Sequence, residues 1–231
     1  MAATAFVTGA TGFVGREVVR QLCVRGAQVV AHVRPDSKKL AEWRAQFGEL
    51  GATVDATPWD AAQLAARFRE LAPAAVYILI GTTRGKAKAD NVSGDIYEKV
   101  DLGLTKLAVE AARASETQPR VVYLSSIGAD KGARSAYLRA RGQAEEAVMT
   151  SGLPWVIARP SFITGDRDES RLGERSAALV GDGLLAVARV LGGKQLRDRY
   201  RSTTPDVLAS ALIRLAEAPE HDLVADGAQL R

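Results

Sequence analysis

Short apolar or β-branched runs alternate along the chain with longer stretches whose apolar residues recur at helical spacing. Ala5-Phe6-Val7 reads as a strand, Phe13 to Arg25 as a helix with Val14, Val18 and Leu22 on one face, and Gln28 to Val33 as the next strand. The cycle then repeats. Ser37 caps a helix running to Phe47, Ala52 to Thr57 is a short strand, and Asp60 caps a helix through Leu71 that carries Leu64 and Phe68. Val76 to Ile80 and Val121 to Leu124 are apolar without interruption, the pattern of central strands covered by helices on both faces. Between them a polar loop, Gly81 to Gly94, precedes a helix of about twenty residues ending near Ser115. A second polar loop, Ser126 to Ser135, leads into a helix from Ala136 to Thr150 and a strand from Trp155 to Ala158, which Arg159-Pro160 ends. Beyond it lie a helix near Arg175 to Val190, an irregular basic segment, and a helix that Thr204-Pro205 starts and that runs to about Ala216.

This alternation predicts an α/β fold built as a doubly wound, mainly parallel sheet. Without an internal repeat or a linker composition, residues 1–231 read as one domain in which 165–231 add a small cap on the substrate side. The 231-residue length suits a single core, and 47% hydrophobic with 25% charged residues excludes a disordered chain, collagen or a coiled coil. Cys23 has no second cysteine to pair with, and no basic leader precedes the apolar run within Met1 to Thr8, so a reducing, cytoplasmic setting is expected. The uncharged stretch Leu71 to Thr83 falls short of the roughly 20 residues of a membrane helix. A net charge of +4 permits anionic ligands but does not point to nucleic acid, and the basic run Lys194 to Arg201 reads as solvated surface. His32, His221 and Cys23 are too scattered for a metal site.

Chemistry enters directly after the first strand, where Gly9-Ala10-Thr11-Gly12-Phe13-Val14-Gly15 opens a helix. A strand, a glycine turn and a helix in this order let the backbone approach a pyrophosphate and offer helix N–H groups to its charge, which implies a dinucleotide site. The end of the second strand selects the dinucleotide, because an acid there binds the ribose 2′-hydroxyl of NAD and a cation a 2′-phosphate. Here Val33-Arg34-Pro35-Asp36-Ser37-Lys38 offers the planar fork of Arg34, with Ser37 and Lys38 near, which favours NADP(H). The competing reading assigns the ribose to Asp36.

A second constellation follows the fifth strand. Ser125-Ser126 closes it, and Tyr137 and Arg141, at i and i+4, share one face of the next helix. A cation beside a tyrosine favours the phenolate and makes the hydroxyl a better acid, while a serine hydroxyl can hold a carbonyl oxygen. Without the glycine loop, Tyr137 reads as an ordinary helix tyrosine.

The glycine loop, Ser125-Ser126 and Tyr137-x-x-x-Arg141 resemble, in order and spacing, the extended and atypical short-chain dehydrogenase/reductases. Gly81-Thr82-Thr83-Arg84, Ser125 to Asp130 and Arg159 to Arg167 are similar to the Tat-interacting-protein-like branch near the NmrA-like proteins, and the resemblance runs from about Ala5 to Ala218. It implies a Rossmann fold of strand order 3-2-1-4-5-6 and an NADP(H) site. Around the cofactor it places Gly9, Thr11, Gly12, Phe13, Val14 and Gly15, then Arg34, Ser37 and Lys38, and Thr57 toward the adenine. Gly81 and Thr82 fall beside the adenosine ribose, with Ser125, Tyr137, Arg141, Pro160 and Phe162 toward the nicotinamide. Ser126, Tyr137 and Arg141 become the catalytic set. The family's lysine is here Arg141, which keeps the charge but cannot relay a proton, and Thr57 stands where an aspartate commonly meets the adenine. The expected function is an NADPH-dependent oxidoreductase that reduces a small carbonyl or quinone-type substrate. The alternative is a non-catalytic NADP(H) sensor or assembly factor that serves a protein partner.

Overall fold

The computed structural model describes residues 3–82, 95–164 and 202–231. Its first half is β1 (Thr4–Thr8), α1 (Phe13–Val24), β2 (Gln28–His32), α2 (Leu40–Glu49), β3 (Thr53–Asp55), α3 (Ala61–Leu71) and β4 (Ala75–Ile78). A π-helical segment, Tyr97–Gly103, then runs into α4 (Leu104–Ala114), followed by β5 (Arg120–Leu124), α5 (Ala136–Met149), β6 (Trp155–Arg159), α6 (Pro205–Glu217) and β7 (Leu223–Asp226). All seven strands are parallel, in the order β3-β2-β1-β4-β5-β6-β7. This is the doubly wound Rossmann architecture expected from the sequence, with one further strand at the β6 edge.

Alternation along the strands divides the core between two layers. Val7, Tyr77, Val122 and Val156 face α1 and α6, where they meet Val14, Val18 and Leu22 with Leu208 and Leu212. Phe6, Ile78, Val121 and Tyr123 face the other way, onto Leu64 and Phe68 of α3, Ala108 and Ala112 of α4, and Ala144 and Val148 of α5. The alanines of α4 and α5 allow these helices to lie close against the large rings of the central strands.

Local signals set several helix starts. Asp60 Oδ1 accepts the Gln63 N–H at 2.9 Å, and Pro205 occupies the first turn of α6, where its missing N–H costs nothing. The start of α2 departs from expectation: Ser37 Oγ accepts the Lys39 N–H at 3.4 Å within a turn, and the helix begins only at Leu40. β7 is the element the sequence reading lacks. Four residues directly after a helix carry little periodicity, yet Leu223 to Asp226 align with Val156 to Arg159 of β6. Pro205 to Leu230 therefore belong to the sheet and its covering layer. The rest of the expected cap, residues 165–201, lies outside the described residues, as do the Arg175 to Val190 helix and the Lys194 to Arg201 run. No helix among the described residues is long and apolar enough to cross a membrane.

Candidate functional site

The carboxyl ends of the parallel strands β1, β2, β4, β5 and β6 share one edge of the sheet, and the sequence-predicted residues gather there. At the end of β1 the three loop glycines have different duties. Gly9 adopts φ +69°, and a Cβ there would stand 2.5 Å from the Leu79 carbonyl oxygen. A Cβ on Gly15 would overlap Gly9 O, so this glycine lets α1 seat against the turn. Gly12 is unlike both, with an ordinary φ of −74° and a single neighbour for its missing Cβ, Gly9 O at 3.1 Å. It is the N-cap of α1 and supplies no side-chain cap. The first-turn N–H groups of a helix lack intrahelical partners and carry the positive end of its dipole, so this glycine-lined terminus can take an anion. The Val14 side chain is buried in the core, which leaves its backbone N–H as what it can offer a ligand, while Thr11 and Phe13 are half-buried.

At the end of β2, Arg34 and Ser37 close one turn, in which the Ser37 N–H donates to Arg34 O at 3.1 Å. Arg34 Nε lies 3.7 Å from Asp36 Oδ1 with both side chains well exposed, and Lys38 is exposed beside them. The two competing readings of cofactor choice thus occupy the same turn. Behind it, Thr57 is fixed from both sides of its peptide. Asp55 Oδ1 accepts its N–H at 2.9 Å, and its carbonyl oxygen lies 2.8 Å from His32 Nε2. Burial pushes the His32 imidazole below its ordinary value, so the neutral ring donates Nε2–H there. Asp55 Oδ2 pairs with Arg67 Nε at 2.6 Å.

Tyr137 stands half-buried on the first turn of α5, edge-on to Tyr97 with 5.4 Å between ring centroids. One turn further on, the Arg141 guanidinium carbon lies 5.3 Å from the centroid of the Tyr137 ring and 5.8 Å from that of Tyr123. Its head is turned inward. Nη1 donates to Leu124 O at 2.8 Å and to Tyr123 Oη at 3.2 Å, and Nη2 is 2.7 Å from Oδ1 of the fully buried Asp101. Asp101 Oδ2 accepts the Thr82 N–H at 3.2 Å, and a Cβ on Gly81 would stand 2.9 Å from Arg141 Nη2. Burial pushes the Asp101 carboxyl above the usual carboxylate range against the opposing pull of Arg141. Burial alone would lower the Arg141 pKa, but the Tyr123 and Tyr137 phenols and Asp101 hold it above its ordinary value. Among the described residues, Arg141 Nε has no hydrogen-bond partner. The cation expected to face the ribose is therefore committed to a buried ion pair beneath Tyr137.

The two serines also part. Ser125 is buried, and its Oγ donates to Glu145 Oε1 at 2.5 Å; Arg159 binds the same carboxylate through Nε at 2.8 Å and Nη2 at 2.5 Å. Its hydroxyl is thus part of a brace between β5, α5 and β6. Ser126 is half-buried, and its Oγ makes a long hydrogen bond of 3.3 Å to Ile127 O. Pro160 is buried and accepts the Ile127 N–H at 2.9 Å, which joins the loops after β5 and β6. Phe162, half-buried, accepts the Thr203 N–H at 2.8 Å through its carbonyl.

Residues 9–189 match the NAD(P)H-binding family. The chain belongs to that family. It is 33% identical over 175 residues to protein fmp52, mitochondrial, of Aspergillus fumigatus, a match that covers 74% of this chain and 71% of that one. The Aspergillus niger protein of the same name is 31% identical over 169 residues, covering 72% and 69%. These names overturn the expected cytoplasmic placement: one cysteine argues against an intramolecular disulfide but does not choose among compartments. Among solved structures, UDP-glucose 4-epimerase from Brucella ovis in complex with NAD aligns with a TM-score of 0.62 at 21% identity, covering 94% of this chain and 73% of that one. The Bordetella bronchiseptica enzyme WbmH in complex with NAD+ aligns at 0.66 and 17%, covering 99% and 78%. Both share the fold.

For a member of the NAD(P)H-binding family, the loop geometry fits the cofactor: two glycines pack backbone on backbone, and the third leaves the helix terminus open. Sequence reasoning missed Asp101, Glu145 and Arg159. Glu145 had a signal, since Tyr137, Arg141 and Glu145 form an i, i+4, i+8 stripe on α5. Asp101 had a weaker one, four residues after Tyr97 at the start of a helix.

Proposed function

We propose that the protein is an NADP(H)-dependent oxidoreductase that reduces a small carbonyl or quinone-type substrate. The observation that carries this reading is the Tyr137 ring stacked over the Arg141 cation beside Gly81-Thr82, at the carboxyl edge of the sheet. The bound nicotinamide would supply the hydride. Gly12 and the first turn of α1 would hold the pyrophosphate, Arg34 with Ser37 and Lys38 the 2′-phosphate, and Thr57 would flank the adenine. Tyr137 Oη would give the proton to the substrate oxygen, which Ser126 would orient, and the fixed cation of Arg141 would favour loss of that proton. Pro160 and Phe162 would bound the site on the β6 side.

A second reading, a cofactor-binding sensor or assembly protein without turnover, draws support from the same cation. Arg141 is engaged by Asp101, Tyr123 and Leu124 O, which leaves little of it for a ribose. Incubating the protein with NADPH and a panel of aldehydes, ketones and quinones separates the two. The reductase reading expects consumption with at least one substrate class and a loss of about 100-fold or more in kcat for Tyr137→Phe, with NADPH affinity within about twofold of wild type. No consumption across the panel rejects the enzyme and leaves a partner whose binding responds to NADPH as the next search.

A further inference from the structure

His32 is 3% exposed at the end of β2, two residues after Val30 on the face that packs onto Phe6, Leu64 and Phe68. Its imidazole meets two other rings, with centroids 5.8 Å from Phe6 and 4.8 Å from Trp59, the latter edge-on. An aliphatic side chain would fill this place on a strand without burying a polar ring, so packing does not explain the imidazole. Its hydrogen bond does. A carbonyl oxygen can only accept, so the 2.8 Å contact with Thr57 O makes Nε2 the nitrogen that carries hydrogen and ties β2 to the turn after β3.

That turn has no strand to lean on. β3 is an edge strand of three residues, and the bond from the Val33 N–H to Asp55 O at 2.9 Å closes its ladder with β2. Residues 56–60 then cross to α3, which begins at Ala61. Asp55 Oδ1 holds the Thr57 N–H from one side, His32 holds the Thr57 carbonyl from the other, and the Trp59 ring rests against the imidazole. Thr57 is thereby held, half-buried, one strand over from the Arg34 turn.

We propose that His32 is a positioning residue for the adenosine half of the cofactor, holding the Thr57 peptide and the Trp59 ring in place before the nucleotide arrives. The proposal rests on the reading of Thr57 as the residue that flanks the adenine. A turn fixed in advance loses little freedom on binding, whereas a turn that the ligand must order weakens the affinity by the entropy lost. The effect is confined to the part of the dinucleotide that meets this turn, since the pyrophosphate and nicotinamide would meet α1 and the ends of β4 to β6.

The test uses the full chain and two fragments in calorimetric titration: 2′,5′-ADP for the adenosine half and reduced nicotinamide mononucleotide for the other. His32→Phe keeps a ring against Phe6 and Trp59 but has no donor; His32→Leu, smaller and also without a donor, is the second measurement if the phenyl ring does not fit. His32→Gln restores an N–H in the place of Nε2. The donorless variants are expected to bind 2′,5′-ADP about tenfold more weakly and the mononucleotide within about twofold of wild type, while His32→Gln stays within about threefold for both. Hydrogen exchange at the Ala56, Thr57, Trp59 and Asp60 amides, measured without nucleotide, should quicken in His32→Phe and slow again in His32→Gln. Three results overturn the proposal. One is a folded donorless variant that binds 2′,5′-ADP within about twofold of wild type, even if the turn exchanges faster. Another is an equal loss for both fragments, which signals general loosening, and the third is a His32→Gln variant as weak as His32→Phe, which leaves the ring alone responsible. In each of these wild type still binds NADPH and the cofactor reading stands. A wild type that binds neither NADPH nor 2′,5′-ADP rejects that reading and the proposal with it. No arm needs turnover, so the outcome does not depend on whether the protein is a reductase or a sensor.

Discussion

Replacing Gly12 by valine separates the cofactor cradle from the fold. The Gly12 backbone, at φ −74° and ψ 169°, is extended and suits a β-branched residue. The new Cβ would press only on Gly9 O at 3.1 Å, and valine is a poorer N-cap than glycine by roughly 0.5–1 kcal/mol. With crowding included, the total is about 1–2 kcal/mol, or a fall in Tm of roughly 2–8 °C for a chain of this size. Binding should suffer far more, because the branched side chain fills the approach to the α1 N-terminus: a loss of at least 100-fold in NADPH affinity, about 2.7 kcal/mol, is expected. Melting with and without NADPH shows both effects at once. Wild type at about 100 times its Kd gains about 2.7 kcal/mol and a visible rise in Tm, whereas folded Gly12→Val at the same NADPH concentration gains at most about 0.4 kcal/mol. A folded variant that still binds NADPH within threefold of wild type refutes the reasoning and removes this loop from the site.

Arg34→Ala is expected to weaken NADPH binding by about tenfold and leave NADH unchanged, by calorimetric titration at fixed salt; equal losses for both would return the ribose to Asp36. Arg141→Lys should lower stability by roughly 2 kcal/mol in urea unfolding, because one ammonium cannot serve Asp101, Tyr123 Oη and Leu124 O together. The third concerns acid. Burial pushes Asp55 up, but the Thr57 N–H and hydroxyl and Arg67 together hold it below the usual carboxylate range. Its folded pKa is thus depressed, so its contribution is fully present above the unfolded value of about 3.9 and is lost as pH falls through the folded one. The stability gap between wild type and Asp55→Asn should be constant near neutrality and narrow below about pH 4.

The strand order and the position of the glycine loop were legible because they rest on local signals: uninterrupted apolar runs, helical spacing, and a turn that only glycine can make. Tyr137 and Arg141 were legible as a pair for the same reason, being one turn apart. What the Arg141 head does was not, since its partners come from β5 and from a helix forty residues earlier in sequence. Ser125 and Ser126 read alike as neighbours in a strand end, but successive side chains there point to opposite sides, and only Ser125 meets Glu145. β7 is short and edge-placed, and it acquires strand character from β6 more than from its own four residues.

The helix that opens on the glycine loop, α1, leans on α6. Gln21 of α1 donates to Asp206 O, 185 positions away, and Arg25 pairs with Glu217 of α6. Between them Val14, Val18 and Leu22 share one apolar cluster with Leu208 and Leu212. A contact of this range closes only after nearly all of the intervening chain is in place, and such closures slow folding because the loop entropy is lost before the contact is gained. During synthesis, therefore, β1 and the glycine turn emerge early but lack the surface that holds α1 in its angle. The glycine turn leaves the ribosome well before α6 yet is expected to reach its settled shape only once α6 has docked against α1.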